Sequence, residues 1–272
     1  MAKAFSLASW NVEHFKNVQA RVEHVVDFIL GVDPDIVALY EVEGGDIFAE
    51  VSTRMPGYQF HITEGPQTQE ILVGVRGGIT AFFTQKLQFK AGNHALRPGA
   101  LLTVTIAGQN YPILFLHTKS GPQPIGWGIR DDMLERALAF KKVLQKSAGP
   151  GAPPVNYFFL GDLNTMGMKY LIKDHNIPAA KELDKLDQAA TKAGMRRLGK
   201  DEPNTWSNGP GSSIKDSDLD HVVAASHLKF KKFGVSEVTV KGWPKEPTPA
   251  AKKDWIKKFS DHALLFLEVQ KA

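Results

Sequence analysis

The chain has 272 residues, 43% hydrophobic and 23% charged, with a net charge of +4. That composition belongs to a folded protein with a large core and excludes disorder along most of the chain. There is no cysteine, so disulfides, zinc–thiolate sites and a thiol nucleophile are excluded, leaving oxygen and imidazole donors suited to hard ions.

The N-terminus, Met1-Ala2-Lys3-Ala4-Phe5, lacks the apolar run of a signal peptide. No stretch approaches the roughly 18 to 20 apolar residues of a membrane span. A single domain over residues 1–272, cytoplasmic and monomeric, is therefore expected. Phe5 to Trp10 alternates as a strand ending at Asn11. A helix capped by Asn17 should follow, because Val18, Val22, Val25, Val26 and Ile29 recur at helical spacing before the Asp33-Pro34-Asp35 turn. Ile36 to Tyr40 then forms a buried strand that delivers Glu41 at its end.

The middle of the chain is rich in strands. Ile71 to Val75, Ile79 to Thr84, Leu101 to Ile106 and Pro112 to His117 fit the pattern, the last two joined by a hairpin at Gly108-Gln109-Asn110. The spacing of Met133, Leu134, Ala137 and Leu138 predicts a helix over about Arg130 to Lys146. Gly149 to Pro154 is a loop, Val155 to Leu160 a strand, and His221 to Ala225 and Ala263 to Val269 two more. Short strands with a few helices point to an α/β fold of two packed sheets flanked by helices. Basic residues gather at Lys229, Lys231 and Lys232, at Lys252-Lys253, at Lys257-Lys258 and at Arg196-Arg197. They read as solvated surface or as a rim facing a polyanion.

Polar residues bound these strands repeatedly. Asn11 follows Trp10, Glu41 follows Tyr40, His117 follows Leu116, and Asp162 and Asn164 follow Leu160. Asp220-His221 precedes Val222, and Asp261-His262 precedes Ala263. Each alone reads as a turn former, a cap or a structural histidine. Jointly they form the set that phosphate-ester cleavage needs, placed where a rigid sheet fixes positions. Carboxylates hold a hard cation that neutralises the phosphate. An imidazole stabilises developing charge, and a carboxylate orients water or takes its proton.

Six segments resemble, in order, the endonuclease/exonuclease/phosphatase superfamily with its DNase I-like fold. They are Ala8-Ser9-Trp10-Asn11-Val12-Glu13, Val37-Ala38-Leu39-Tyr40-Glu41-Val42, Leu116-His117-Thr118, Phe159-Leu160-Gly161-Asp162-Leu163-Asn164, Ser217-Asp218-Leu219-Asp220-His221-Val222 and Phe259-Ser260-Asp261-His262. The resemblance implies a four-layer α/β/β/α sandwich of two mixed or antiparallel sheets, with its site at one end. It implies Glu41 as the main metal ligand, with Asn11 and Asp261 nearby on metal or phosphate. Asp162 and Asn164 would handle the attacking water and the phosphate. His262 would face the phosphate, oriented by Asp220, and His117 would contact phosphate or act as an acid. Charge and placement add Lys119 and Arg130 as phosphate contacts, and Trp206 either stacks on substrate or packs in the core. Tyr40 departs from the family, which often carries Gln there.

The implied activity is phosphodiester hydrolysis by a Mg²⁺- or Mn²⁺-dependent hydrolase, with Ca²⁺ a further candidate ion. Nucleic acid is the leading substrate. A phosphomonoesterase or a phospholipase-type enzyme on inositol phosphate, sphingomyelin or another small phosphate ester is the alternative. A non-catalytic binding module is a remote third reading, disfavoured by the full set of polar residues.

Overall fold

The structure, a computed structural model, describes residues 2–65, 69–90, 92 and 96–271. In the first half the order is β1 (Lys3–Phe15), α1 (Gln19–Val32), β2 (Ile36–Glu43), α2 (Gly45–Arg54), β3 (Tyr58–Ile62), β4 (Gln69–Arg76), β5 (Thr80–Lys86), β6 (Gly99–Ile106) and β7 (Gln109–His117). The second half adds α3 (Pro124–Ala148), β8 (Phe158–Asp162), α4 (Ala179–Lys192), β9 (Met195–Arg197), β10 (Asp220–Ala225), β11 (Thr239–Lys241), α5 (Pro249–Lys258) and β12 (Leu264–Gln270).

The strands form two six-stranded sheets, ordered β11-β12-β1-β2-β4-β3 and β5-β6-β7-β8-β10-β9. Both are mixed: β1 runs parallel to β2 and β7 parallel to β8, while β12 and β10 run antiparallel to β1 and β8. The main core lies between the sheets, where Phe5, Tyr111 and Phe158 pack ring against ring. The outer face of the first sheet is covered by α1 and α5 through Trp10, Phe28, Trp255 and Phe259. A second apolar cluster joins α3 and α4 to the second sheet through Leu134, Leu138, Phe159 and Leu186. Helices, sheet, sheet, helices is the layering expected.

Strand β1 is buried from Phe5 through Val12 because it lies in the middle of its sheet with cover on both sides. Its two interior serines are satisfied: Ser6 bonds Asp35, and Ser9 shares a 3.0 Å hydrogen bond with the Tyr40 hydroxyl. The strand also continues past Asn11 to Phe15. The helix after it is capped at Val18, with no side-chain cap bond, rather than at the exposed Asn17. The β6–β7 hairpin turns at Ala107-Gly108, one residue earlier than expected, with φ of 50° and 77°. Both residues take the left-handed region that a tight two-residue turn requires. Helix α3 starts at Pro124, six residues before the expected Arg130.

The strand directions gather the polar residues. Parallel pairing brings the C-terminal ends of β1 and β2 together, as it does those of β7 and β8. The antiparallel β10 and β12 contribute their N-terminal ends to that same edge. In register, His117 sits opposite Asp162, Asp162 opposite Asp220, and Asn11 opposite Tyr40.

Candidate active site

The C-terminal end of the sandwich opens into a cleft of about 640 Å³. Glu41, His117, Asp162, Asn164, Trp206, Asp261 and His262 all line it. Asn11 and Asp220 lie just beneath, each almost wholly buried. Nine of the eleven residues singled out from the sequence therefore meet at one place, with Lys119 beside them and Arg130 turned away.

Asp162 is the hub. Its Oδ2 accepts a 3.0 Å hydrogen bond from Asn11 Nδ2 and stands 3.5 Å from His117 Nε2 and 3.8 Å from His262 Nε2. Its Oδ1 accepts the Asn164 backbone N–H at 3.0 Å, so the local turn and the site coexist. Burial raises its carboxyl first; the positive His262 opposes this while Asp220 adds to it, and it is pushed up to about 7. His262 Nδ1 lies 2.8 Å from Asp220 Oδ2, which leaves Nε2 aimed at Asp162 and the cleft. Burial would discharge this imidazole, but Asp220 and Asp162 outweigh it and push it up to about 10. His117 differs: burial and then the nearby Arg97 charge hold it well below the usual imidazole range, hence neutral.

Asn11 joins two carboxylates. Its Nδ2 also donates to Glu41 Oε1 at 3.1 Å, and its Oδ1 accepts the Glu13 backbone N–H at 3.0 Å. With Nδ2 shared between the two carboxylates and one lone pair of Oδ1 on the Glu13 N–H, Asn11 orients the acids of the cleft. Trp206 is tied down by a 2.6 Å bond from its indole N–H to Asp261 Oδ2. The other carboxylate oxygen, Asp261 Oδ1, is buried with no hydrogen-bond partner among the described residues. The Asp261 carboxyl is raised by burial first and then by Glu41 and Asp220, against the pull of His262.

These acids fit a divalent cation. Ligand atoms of Glu41, His117 and Asp162 lie within 4.8 Å of one another, and the partnerless Asp261 oxygen borders the same cleft. The donor set is mostly hard oxygen, and the cluster is short of positive charge.

The backbone is strained where the site is built. Among the described residues, six non-glycine positions have positive φ, and four of them, Glu13, His14, Glu41 and Asn164, belong to this cleft. Gly161 has φ +141°, and a Cβ there would stand 2.0 Å from the Leu116 carbonyl and 2.8 Å from the Tyr40 hydroxyl. Tyr40, the departure from the family pattern, is a wholly buried prop beneath Gly161 and His117.

The expected phosphate contact of Arg130 is overturned. Arg130 is 0% exposed and forms a two-pronged ion pair with Glu182 at 2.6 and 3.0 Å. Its remaining N–H groups bond the carbonyls of Lys119, Gly121 and Gly167. With all its donors directed inward it pins the two loops flanking the cleft, so it supports the site from below. Lys119 is half-buried near His117, and no side-chain bond holds it among the described residues.

Arg97, Glu13 and His14 are cleft residues that the sequence did not single out. Arg97 lines the cleft, its guanidinium bonded to the Gln69 backbone carbonyl and side chain. Glu13 and His14 enter because β1 continues in left-handed conformation, letting the His14 N–H bond Glu41 Oε2 at 3.0 Å. Arg97 lies two residues before β6, and Glu13 lies within the first matched segment, which were the signals that could have found them. None of the lysine and arginine clusters lines the cleft. Lys231, Arg196, Arg197 and Lys252 are paired with Glu268, Glu237, Asp187 and Asp216.

Comparisons place the fold. A truncated TDP2 from Caenorhabditis elegans superposes with a TM-score of 0.66 at 17% identity, covering 98% of each chain. A D. rerio TDP2 complexed with a single-strand DNA product gives 0.66 at 16%, covering 98% of this chain and 99% of that one. The human Nocturnin catalytic domain, with bound sulfate, gives 0.59 at 14%, covering 98% and 93%. At these identities the likeness is one of fold. No curated protein matches the sequence significantly. The sequence profile of the endonuclease/exonuclease/phosphatase family matches residues 8–262, from the first site strand to His262, and the chain belongs to that family.

Proposed function

We propose that this protein is a divalent-metal-dependent phosphodiesterase whose substrate is nucleic acid. The observation that carries the reading is the Asp220–His262–Asp162 array facing Glu41 and the partnerless Asp261 oxygen in one cleft. A charged donor, a carboxylate that takes up a proton near neutral pH and a cation-deficient acid cluster are the three needs of phosphodiester hydrolysis.

Each residue's part follows from its environment. His262, held charged by Asp220, donates from Nε2 to a non-bridging phosphate oxygen as charge builds there. Asp162, lifted toward neutrality, orients the attacking water and accepts its proton. Asn11 holds Asp162 and Glu41 in register, and Asn164 shapes the turn that presents Asp162. Neutral His117 steadies the other side of Asp162 and contacts the phosphate. Glu41, with Asp261 or with Asp162 and His117, would hold the Mg²⁺ or Mn²⁺ ion. That ion supplies neutralisation of the phosphate and of the leaving oxygen.

Two things favour nucleic acid among phosphodiesters. The cleft is bordered by Arg97 and Lys169 and also carries Trp206 and Ile214, a combination suited to phosphates with flat apolar bases. One protein of the same fold, D. rerio TDP2, was captured with single-strand DNA product.

The test compares single-stranded and duplex oligonucleotides, RNA, bis(p-nitrophenyl) phosphate, inositol phosphates and sphingomyelin with Mg²⁺ or Mn²⁺. Oligonucleotide cleavage should vanish with EDTA. Asp162→Asn should lower kcat by about 10²-fold or more in a protein that melts normally. Full activity in EDTA, or an unaffected Asp162→Asn enzyme, refutes the mechanism. Cleavage of inositol phosphates or sphingomyelin but not of oligonucleotides refutes the substrate class.

A further inference from the structure

Beside the cleft the chain rises into a loop that is built stiffly and tipped with apolar side chains. Its base is fixed from below: the Gly167 N–H bonds Glu182 Oε2 at 2.7 Å, and the Gly167 carbonyl accepts from Arg130. Gly167 has φ +76°, and a Cβ there would lie 2.2 Å from the Ile177 carbonyl, so only glycine lets the two arms close. Met168 and Ile177 then exchange both backbone hydrogen bonds, at 2.7 and 2.9 Å. Higher up, the Tyr170 N–H bonds the Asn176 side chain, and the Tyr170 ring stacks on His175 at 5.7 Å. Sideways, the Lys169 N–H bonds the Pro122 carbonyl at 2.7 Å.

These fastenings hold up a tip that faces solvent. Leu171 is 100% exposed and Ile172 56%, between Lys169 and Lys173. Ile125, three residues beyond Pro122, is 74% exposed on the first turn of α3. Lys169 lines the cleft, so the tip continues the wall of the space where the phosphate is processed. Isolated exposed aliphatics are ordinary. Adjacent ones on a braced loop, between lysines and next to a phosphoesterase cleft, form a binding element that is already organised.

We propose that the Met168–Ile177 loop is a wedge that inserts Leu171 and Ile172 between bases flanking the scissile phosphate, with Lys169 and Lys173 on neighbouring phosphates. This rests on the nucleic-acid reading above and adds the element that grips the strand. Aliphatic wedges bracketed by cations are how proteins part stacked bases. A bilayer suits the surface less well. The cation at the base of the loop, Lys169, lines a concave cleft that a flat lipid surface does not enter, whereas a single strand does.

The experiment uses the full chain with Leu171→Ser/Ile172→Ser and, separately, Leu171→Trp. For the double variant, kcat/KM on a single-stranded oligonucleotide should fall about tenfold, mainly through KM, while bis(p-nitrophenyl) phosphate, too small to reach the loop, shows no such loss. Lys173→Gln should reduce the slope of log KM against log salt by about 0.7. Emission of Leu171→Trp, measured against the parent, should be quenched by the oligonucleotide and unchanged by vesicles of equal parts phosphatidylcholine and phosphatidylglycerol. A blue shift on vesicles without a response to oligonucleotide overturns the wedge in favour of membrane docking. Equal losses on both substrates overturn it as general damage to the site. If the parent and the double variant cut oligonucleotide equally well, the wedge alone fails. If the parent cuts only the small diester, the nucleic-acid reading beneath it fails as well.

Discussion

Replacing Glu182 by alanine should unfold this protein far more readily than its distance from the reacting groups suggests. The substitution leaves the Arg130 guanidinium, 0% exposed, without the two carboxylate bonds at 2.6 and 3.0 Å. Three carbonyls remain around the charge, but none neutralises it. Stranding one half of a buried pair costs about 3–5 kcal/mol. For a chain of this size that is a fall in melting temperature of about 6–20 °C. Arg130→Met should cost a similar amount, because it strands the carboxylate instead. The double variant Arg130→Met/Glu182→Ala strands neither charge, so its cost should be at least about 2 kcal/mol below the sum of the singles. Urea and thermal melts followed by circular dichroism measure all three. Additive costs, or a Glu182→Ala protein within about 1 kcal/mol of the parent, would refute the clamp.

Two further outcomes follow from the same geometry. Gly161→Ala combines an unfavourable φ with a Cβ 2.0 Å from a carbonyl, so it should destabilise by at least about 2 kcal/mol and displace Asp162; a fully active, equally stable variant would show the strand end is not fixed as described. Asp35 is raised by burial, but bonds from Lys3 and from the Ser6 hydroxyl and backbone prevail and hold it below its ordinary 3.8. A depressed folded value means its contribution is present above the unfolded value and is lost as pH falls through the folded one. Asp35→Asn should accordingly flatten the loss of stability below about pH 4, and an unchanged acid limb would count against it.

The elements legible in the sequence were those whose burial is continuous. β2, β6, β7, β8 and β12 carry apolar runs that only a covered strand explains, and their ends gave most of the cleft. α2 and α4 were missed because each buries little apolar surface, Ile47 and Val51 in one and Leu186 and Ala190 in the other. β9 and β11 are three residues long, too short for any periodicity to register. Arg130 was misread because charge is visible in a sequence and burial is not. Its partner Glu182 is 52 positions away, brought close only by the packing of α3 on α4. The left-handed turn at Glu13 and His14 was hidden for a related reason: neither residue type announces a positive φ, which the surrounding contacts impose.

The place of β12 in its sheet has a consequence for how the enzyme comes into being. This strand follows all the others of its sheet in the chain, yet it inserts between β11 and β1. His262, just ahead of it, is anchored to β1 by its carbonyl, which accepts the Trp10 indole N–H at 2.9 Å, and by Ser260, which bonds the Asn11 carbonyl. A growing chain therefore holds β1 with one edge unpaired until β12 has emerged, and such an edge invites pairing with other chains. Closing a contact between strands so far apart in sequence is also slow. Until that strand docks, His262 does not face Asp162 and Asp220 either, so the completed cleft and protection from aggregation arrive together, with a single strand.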